Sequence, residues 1–157
     1  RIKWFDLQWA RSEDLFEGLK IVAPYRSQTN SFGINSIEWF CRSDVYVIKP
    51  KTSFKQLLAV CGILNSKLIL SWLYHKGKRK GEVLELFPES LSDIPINYSD
   101  DDTLNQISEL TTRVREAIEK HGASSTEVIQ LKRKIDQLVY KLYGLTADEI
   151  TLVEGGV

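Results

Sequence analysis

The chain has 157 residues, 43% of them apolar and 27% charged, with 21 Lys/Arg balanced by 21 Asp/Glu, which is room for one domain with a core plus a helical appendage. No apolar run approaches the ~20 residues of a membrane span, no charged n-region with an apolar h-region opens the chain, and two cysteines and two histidines supply neither a disulfide framework nor a metal-ligand cluster. Cytoplasmic residence with no membrane contact is expected. The neutrality hides a polarity: residues 1–80 carry 14 Lys/Arg against 6 Asp/Glu, and residues 81–157 carry 7 against 15. A half with an excess of +8 suits a polyanion, and an acidic half would be repelled by one. Methionine is absent and the chain opens inside an aromatic segment, which reads as part of something longer.

In chain order, Arg1 to Phe16 is an aromatic lead-in (Trp4, Phe5, Leu7, Trp9), followed by a strand at Lys20 to Ala23 that Pro24 ends. Tyr25 to Ser36 is polar with a turn signal at Gly33, and is expected as a loop. Trp39 to Cys41 and Asp44 to Lys49 read as strands, the second stopped by Pro50. Thr52 or Ser53 can cap a helix bearing Leu57, Leu58, Val60, Cys61 and Leu64, and Asn65-Ser66 then either ends it or caps a second helix through Trp72 and Leu73. The run Lys76 to Gly81 is expected as a basic loop, with short strands at Glu82 to Leu86 and Leu91 to Ile96.

Asn97 to Asp102 is an acidic linker. Beyond it, Ile107, Leu110, Val114 and Ala117, with Ile118, form one helical stripe, and Val128, Leu131, Ile135, Leu138 and Leu142 another. An antiparallel hairpin follows, its second helix opened by a Ser124/Glu127 capping box and ended at Gly144. A further Thr146/Glu149 box starts a last short helix. The expected class is α/β in the sense of α+β: a small mixed sheet with helices over residues 1–97, then a helical hairpin and short helix over residues 98–157.

Candidate binding residues lie in the basic half. Lys76, Lys78, Arg79 and Lys80, with Lys49 and Lys51, can neutralise phosphates and release counterions. In the polar loop Arg26, Ser27, Gln28 and Asn30 are of the types that hydrogen-bond base edges in a duplex major groove. No catalytic or metal-binding residue is expected: there is no Gly-rich nucleotide loop, no Asp/Asn-Pro-Pro-Tyr motif for amino-methyl transfer and no Cys-X-X-Cys pair. Every lysine also lacks an acid two positions before it, as a metal-dependent nuclease half-site would have. Asp100 to Asp102 suits a helix N-terminus, where acids complement the dipole.

Three segments in order, Trp4 to Pro24, Leu57 to Leu68 with its Leu64-Asn65-Ser66, and Leu91 to Ile96 with its Ile94-Pro95-Ile96, resemble the TaqI-like C-terminal specificity domain. This is the target recognition region of adenine-specific DNA methyltransferases and of restriction enzymes that fuse methylation to cleavage. The tail Ile135 to Thr146 resembles the closing segment of those enzymes. The resemblance implies sequence-specific duplex DNA binding beside an upstream methyltransferase domain of the same parent chain. It also implies that S-adenosylmethionine belongs to that parent domain and that this fragment holds no cofactor. Two other readings compete: a specificity subunit of a type I restriction system, and a protein interaction module whose patterned helices dimerise.

Overall fold

A computed structural model of the chain describes residues 11–41, 44–49 and 53–156. The lead-in before Arg11, and the expectations placed on Pro50, Lys51 and Thr52, lie outside the described residues. In chain order the elements are β1 (Lys20–Pro24), β2 (Arg26–Ser27), β3 (Gly33–Asn35), β4 (Val45–Ile48), α1 (Phe54–Leu64), α2 (Lys67–Lys76), β5 (Lys78–Lys80), β6 (Val83–Glu85), α3 (Pro88–Ser92), α4 (Asp101–His121), α5 (Thr126–Tyr143) and α6 (Ala147–Gly155). The class is α+β.

In place of one mixed sheet there are two antiparallel three-stranded sheets, ordered β3-β1-β4 and β2-β6-β5. They are joined at Tyr25, whose N–H donates to Asp44 O (2.7 Å) in the first sheet while its C=O accepts from Leu86 N–H (3.0 Å) in the second. Pro24 is thus the last residue of β1 rather than a stop, and the expected Tyr25–Ser36 loop contributes β2 and β3 at its ends. Trp39 to Cys41 forms no strand. After β3 the Ile37 N–H turns onto Asn35 Oδ1 (2.9 Å) and the Ile37 carbonyl onto the buried Lys20 ammonium (2.7 Å), which also donates to Phe16 O and Gly18 O. Both backbone groups of Ile37 are therefore withdrawn from any ladder.

Ser53 caps α1 in a capping box with Gln56, and Ser66 caps α2. Lys76 completes α2 and Lys78–Lys80 is a strand, so the expected basic loop is a helix end and a β-hairpin arm. Gly81, at φ +63°, makes its turn. Leu91 to Ile96 is not a strand. Pro88 opens α3, where its missing N–H has no helical partner to lose. Beyond α3, Pro95 O accepts from the Tyr143 hydroxyl (2.6 Å), which in turn accepts from Asn97 N–H (3.1 Å), so this segment is tied to the end of α5. The second long helix is capped by Ser125, one residue after the expected Ser124, and Glu127 faces His121 instead (3.7 Å). The Thr146/Glu149 box and the Gly144 stop form as expected. No single helix among the described residues is long and apolar enough to cross a membrane.

Helix α1 is the hub, with Leu57, Leu58, Ala59, Cys61, Gly62, Ile63 and Leu64 all buried. One continuous core runs from Ile21 in β1 through α1 and α2 to Val139 and Leu142 in α5. At the crossing of α1 on α4, a Cβ added to Gly62 would lie 2.7 Å from Ile107 Cγ2 and collide with Thr111 Oγ1. The helix axes approach closely because that side chain is missing. Most of the α4 and α5 stripes is buried in this packing, with Ile107, Val128 and Leu131 at 3% exposure or less, while Leu110 and Leu138 are half-buried and Ile118 is exposed.

The start of α2 is also held from α5. Asp136, buried, accepts from Lys67 N–H (2.8 Å), while Glu154 of α6 accepts from the Tyr140 hydroxyl (2.7 Å) and pairs with Lys67 Nζ. Burial pushes the Asp136 carboxyl up from 3.8 to about 6.

Two outcomes are expected. Gly62→Ala overpacks the α1–α4 crossing and lowers unfolding free energy by about 1–3 kcal/mol in urea titration. Between pH 4 and 6 the folded state holds a proton on Asp136 that the unfolded state has released, so this group lowers stability as pH rises through that window. Asp136→Asn keeps an acceptor for Lys67 N–H and removes the slope. The variant should gain on the wild type by about 2 kcal/mol between pH 4 and 6.5 in parallel melts.

Candidate nucleic-acid interface

The second sheet carries the cations. Its register sets Arg26 opposite Glu85 and Glu85 opposite Lys78, with Lys80 opposite Val83. Alternation along a strand puts Arg26, Glu85, Lys78 and Lys80 on one face, and Ser27, Leu84 and Arg79 on the other. Leu84 is buried in the core, so the Arg26/Lys78/Lys80 face is the outer one. Lys78, Arg79 and Lys80 are all exposed, and none of the three forms an ion pair among the described residues.

Aromatic rings support these charges. The Lys78 ammonium lies 5.2 Å from the Phe87 ring centre, and the Arg79 guanidinium 3.8 Å from that of Tyr74 on α2. Arg26 lies 4.7 Å from the Tyr25 ring, which meets Phe87 edge-on at 5.1 Å. Such contacts hold long side chains at restricted positions without neutralising them. Arg26 also donates from Nε (3.0 Å) and Nη2 (2.6 Å) to Glu85 Oε1, a pairing that raises its pKa further.

The other expected contact residues divide. Lys76 ends α2 beside β5, exposed. Gln28 is exposed and lines a shallow cleft with Tyr74, Glu82 and the end of α6. The Ser27 hydroxyl accepts from Thr29 N–H (3.3 Å) and meets Ser31 Oγ (3.3 Å), which shapes the turn after β2. Asn30 points inward: its amide nitrogen donates to Leu64 O (2.7 Å) and Ser66 O (2.8 Å). Both hydrogens are thereby taken, and a base-edge contact would have to break them. Lys49 follows β4, whose register pairs Ile48 with Ile21 and Val45 with Pro24. It is therefore exposed at the end of the first sheet remote from Arg26. Lys51 lies outside the described residues.

Asn65 completes this frame. Its amide donates to Phe32 O (2.8 Å) and Cys61 O (2.9 Å), and its Oδ1 accepts from Phe32 N–H (3.0 Å). Asn30 and Asn65 thus clasp the 28–32 turn to the α1–α2 junction from both sides. The nearby Cys61 thiol is buried and pushed up to about 12, which makes it a packing residue rather than a nucleophile. Glu85, Tyr25, Tyr74 and Phe87 went unnoticed as supports in the sequence reading, because nothing local marks a carboxylate 59 residues from its arginine.

Residues 2–96 match the TaqI-like C-terminal specificity domain. The chain belongs to that family. It is a DNA sequence-specificity domain of the kind carried by methyltransferases, and not a catalytic one. A comparison with curated proteins gives no match. Two of the segments that carry the resemblance are architectural in this specificity domain: Asn65-Ser66 is the α1–α2 junction and Pro95 the tie to α5. Asn65→Ala should leave the backbone groups of buried Phe32 without those partners and cost about 2–4 kcal/mol in thermal or urea unfolding.

Proposed function

We propose that this specificity domain grips duplex DNA through the outer face of its second sheet, for an adenine-specific methyltransferase of the single-chain restriction-modification type. The observation that carries the reading is the cationic row Arg26, Lys78 and Lys80 across the three strands of the second sheet in a chain of this family. Its β5–β6 hairpin is an edge ribbon of the two-stranded kind that fits the major groove of B-form DNA. Lys78 and Lys80 contact phosphates from that face and set register, and Lys76 and Arg79, the latter on the opposite face against Tyr74, reach phosphates from its edge; Arg26 and Gln28 face the bases. The half-buried Asn30 amide holds the loop rather than a base.

In this reading the parent protein works in the cytoplasm, and the methyl donor S-adenosylmethionine and the reacting adenine, rotated out of the stack, belong to a catalytic domain upstream. Helices α4 and α5 together carry seven acids and seven bases and pack on α1, so they add no net charge against the phosphates. Most of their apolar stripe residues are already covered within the chain, which favours this reading over a dimerising interaction module.

Binding to labelled duplexes over a salt series tests it. The wild type should lose affinity steeply with salt, and Lys78→Ala/Arg79→Ala/Lys80→Ala should reduce the log–log slope by about 2–3 and weaken all sequences alike. A flat, negligible response of the wild type at low and moderate salt rejects the interface.

A further inference from the structure

Within the cationic face stands one carboxylate, on the central strand of the sheet and between two cations: Glu85, opposite Arg26 on one side and Lys78 on the other. Its side chain is 15% exposed against 44% for Arg26. A carboxylate here lowers the attraction of the face for every phosphate, so it does not serve backbone binding. An exposed ion pair also contributes little to stability. What its geometry does is orient a guanidinium.

Arg26 gives Nε–H and one Nη2 hydrogen to a single oxygen, Glu85 Oε1, at 3.0 and 2.6 Å. Nη1 makes no bond among the described residues, and the remaining Nη2 hydrogen has only a long contact with the Tyr25 hydroxyl, at 3.4 Å. The Tyr25 ring restricts the guanidinium from its other side (4.7 Å), and that ring is itself wedged against Phe87 and Tyr46. One edge of the fork is thus anchored, and the Nη1–Nη2 edge is left to receive a ligand. Two parallel donors on a rigid, pre-oriented plane match the O6 and N7 acceptors that guanine alone offers in the major groove.

Resting on the duplex-binding reading above, we propose that Glu85 is a positioning residue that fixes Arg26 for an end-on bidentate contact with a guanine, making Arg26–Glu85 the guanine-specific element of the domain. Without Glu85 the arginine keeps its charge but adopts many rotamers, so attraction to DNA persists while discrimination fades.

The test uses the chain with a randomised duplex pool, sequenced before and after enrichment, followed by replacement of single guanines in an enriched duplex by 7-deazaguanine, which lacks the N7 acceptor. For the wild type, one guanine is expected at which the replacement weakens binding about tenfold or more. Glu85→Ala, which removes the accepting oxygen, should reduce that sensitivity to within about twofold, while its binding to an unenriched duplex stays equal or tightens through the lost negative charge. Arg26→Lys should lose the same sensitivity, and the double variant should lose nothing further. Circular dichroism melts check folding; if Glu85→Ala does not fold, Glu85→Asp, which draws the carboxylate back by one methylene and keeps its charge, carries the same expected loss of guanine sensitivity.

Full guanine sensitivity in folded Glu85→Ala or in Arg26→Lys overturns the inference. So does a switch of preferred base in Glu85→Ala, which would make Glu85 itself the reader. Salt-sensitive duplex binding with no N7-dependent guanine overturns the inference and leaves the proposed function standing, whereas absence of duplex binding by the wild type overturns both.

Discussion

The close crossing of α1 on α4, which Gly62 permits, is the contact through which the two oppositely charged halves become one body. Helix α1 buries nearly its whole length, with the hairpin helices on one side and the first sheet on the other. Because a single apolar core runs from β1 to α5, the hairpin helices are held to the basic half by packing. No charge attraction between the halves is needed to keep them there. Rigidity gained in this way is what an interface needs, since a base-reading side chain displaced by an ångström loses its partner.

From that hub the order is passed to the surface through polar clasps rather than through more core. Asn30 and Asn65 fasten the turn after β2 to the α1–α2 junction. The Lys20 ammonium gathers three carbonyls around the start of β1. Asp136 and Glu154 tie the beginning of α2 to α5 and α6. Each clasp joins segments that carry few apolar side chains of their own, and each satisfies backbone groups that would otherwise be left unpaired away from water. The second sheet inherits its position at both ends, from Tyr25 at the switch between sheets and from the end of α2.

Elements whose causes are local were legible along the chain. The stripes of α4 and α5, the Ser53, Ser66 and Thr146 caps and the Gly144 stop each depend on residues within a turn or two of one another. β1 and β4 were legible for the same reason, as short β-branched runs. The failures share a different cause. Trp39 to Cys41 has the composition of a strand, yet Lys20 and Asn35 take the hydrogen-bonding groups of Ile37 just before it. Lys76 to Gly81 looks like a loop because strand composition is absent, yet β6 supplies a partner that draws Lys78–Lys80 into a ladder. In the binding set, residue types alone could not separate Arg26, whose fork faces outward, from Asn30, whose amide faces in.

The family, the α+β class, the polarity of charge and the presence of a cationic run all follow from the order of residues, because each is a property of composition, short-range period or segment order. Tertiary structure alone decided that Glu85 anchors Arg26, that Tyr74 and Phe87 support Arg79 and Lys78, and that Lys49 stands apart from them. Those pairings join residues far apart in the chain through strand register and helix packing, and no local periodicity encodes which distant side chains a register will set side by side.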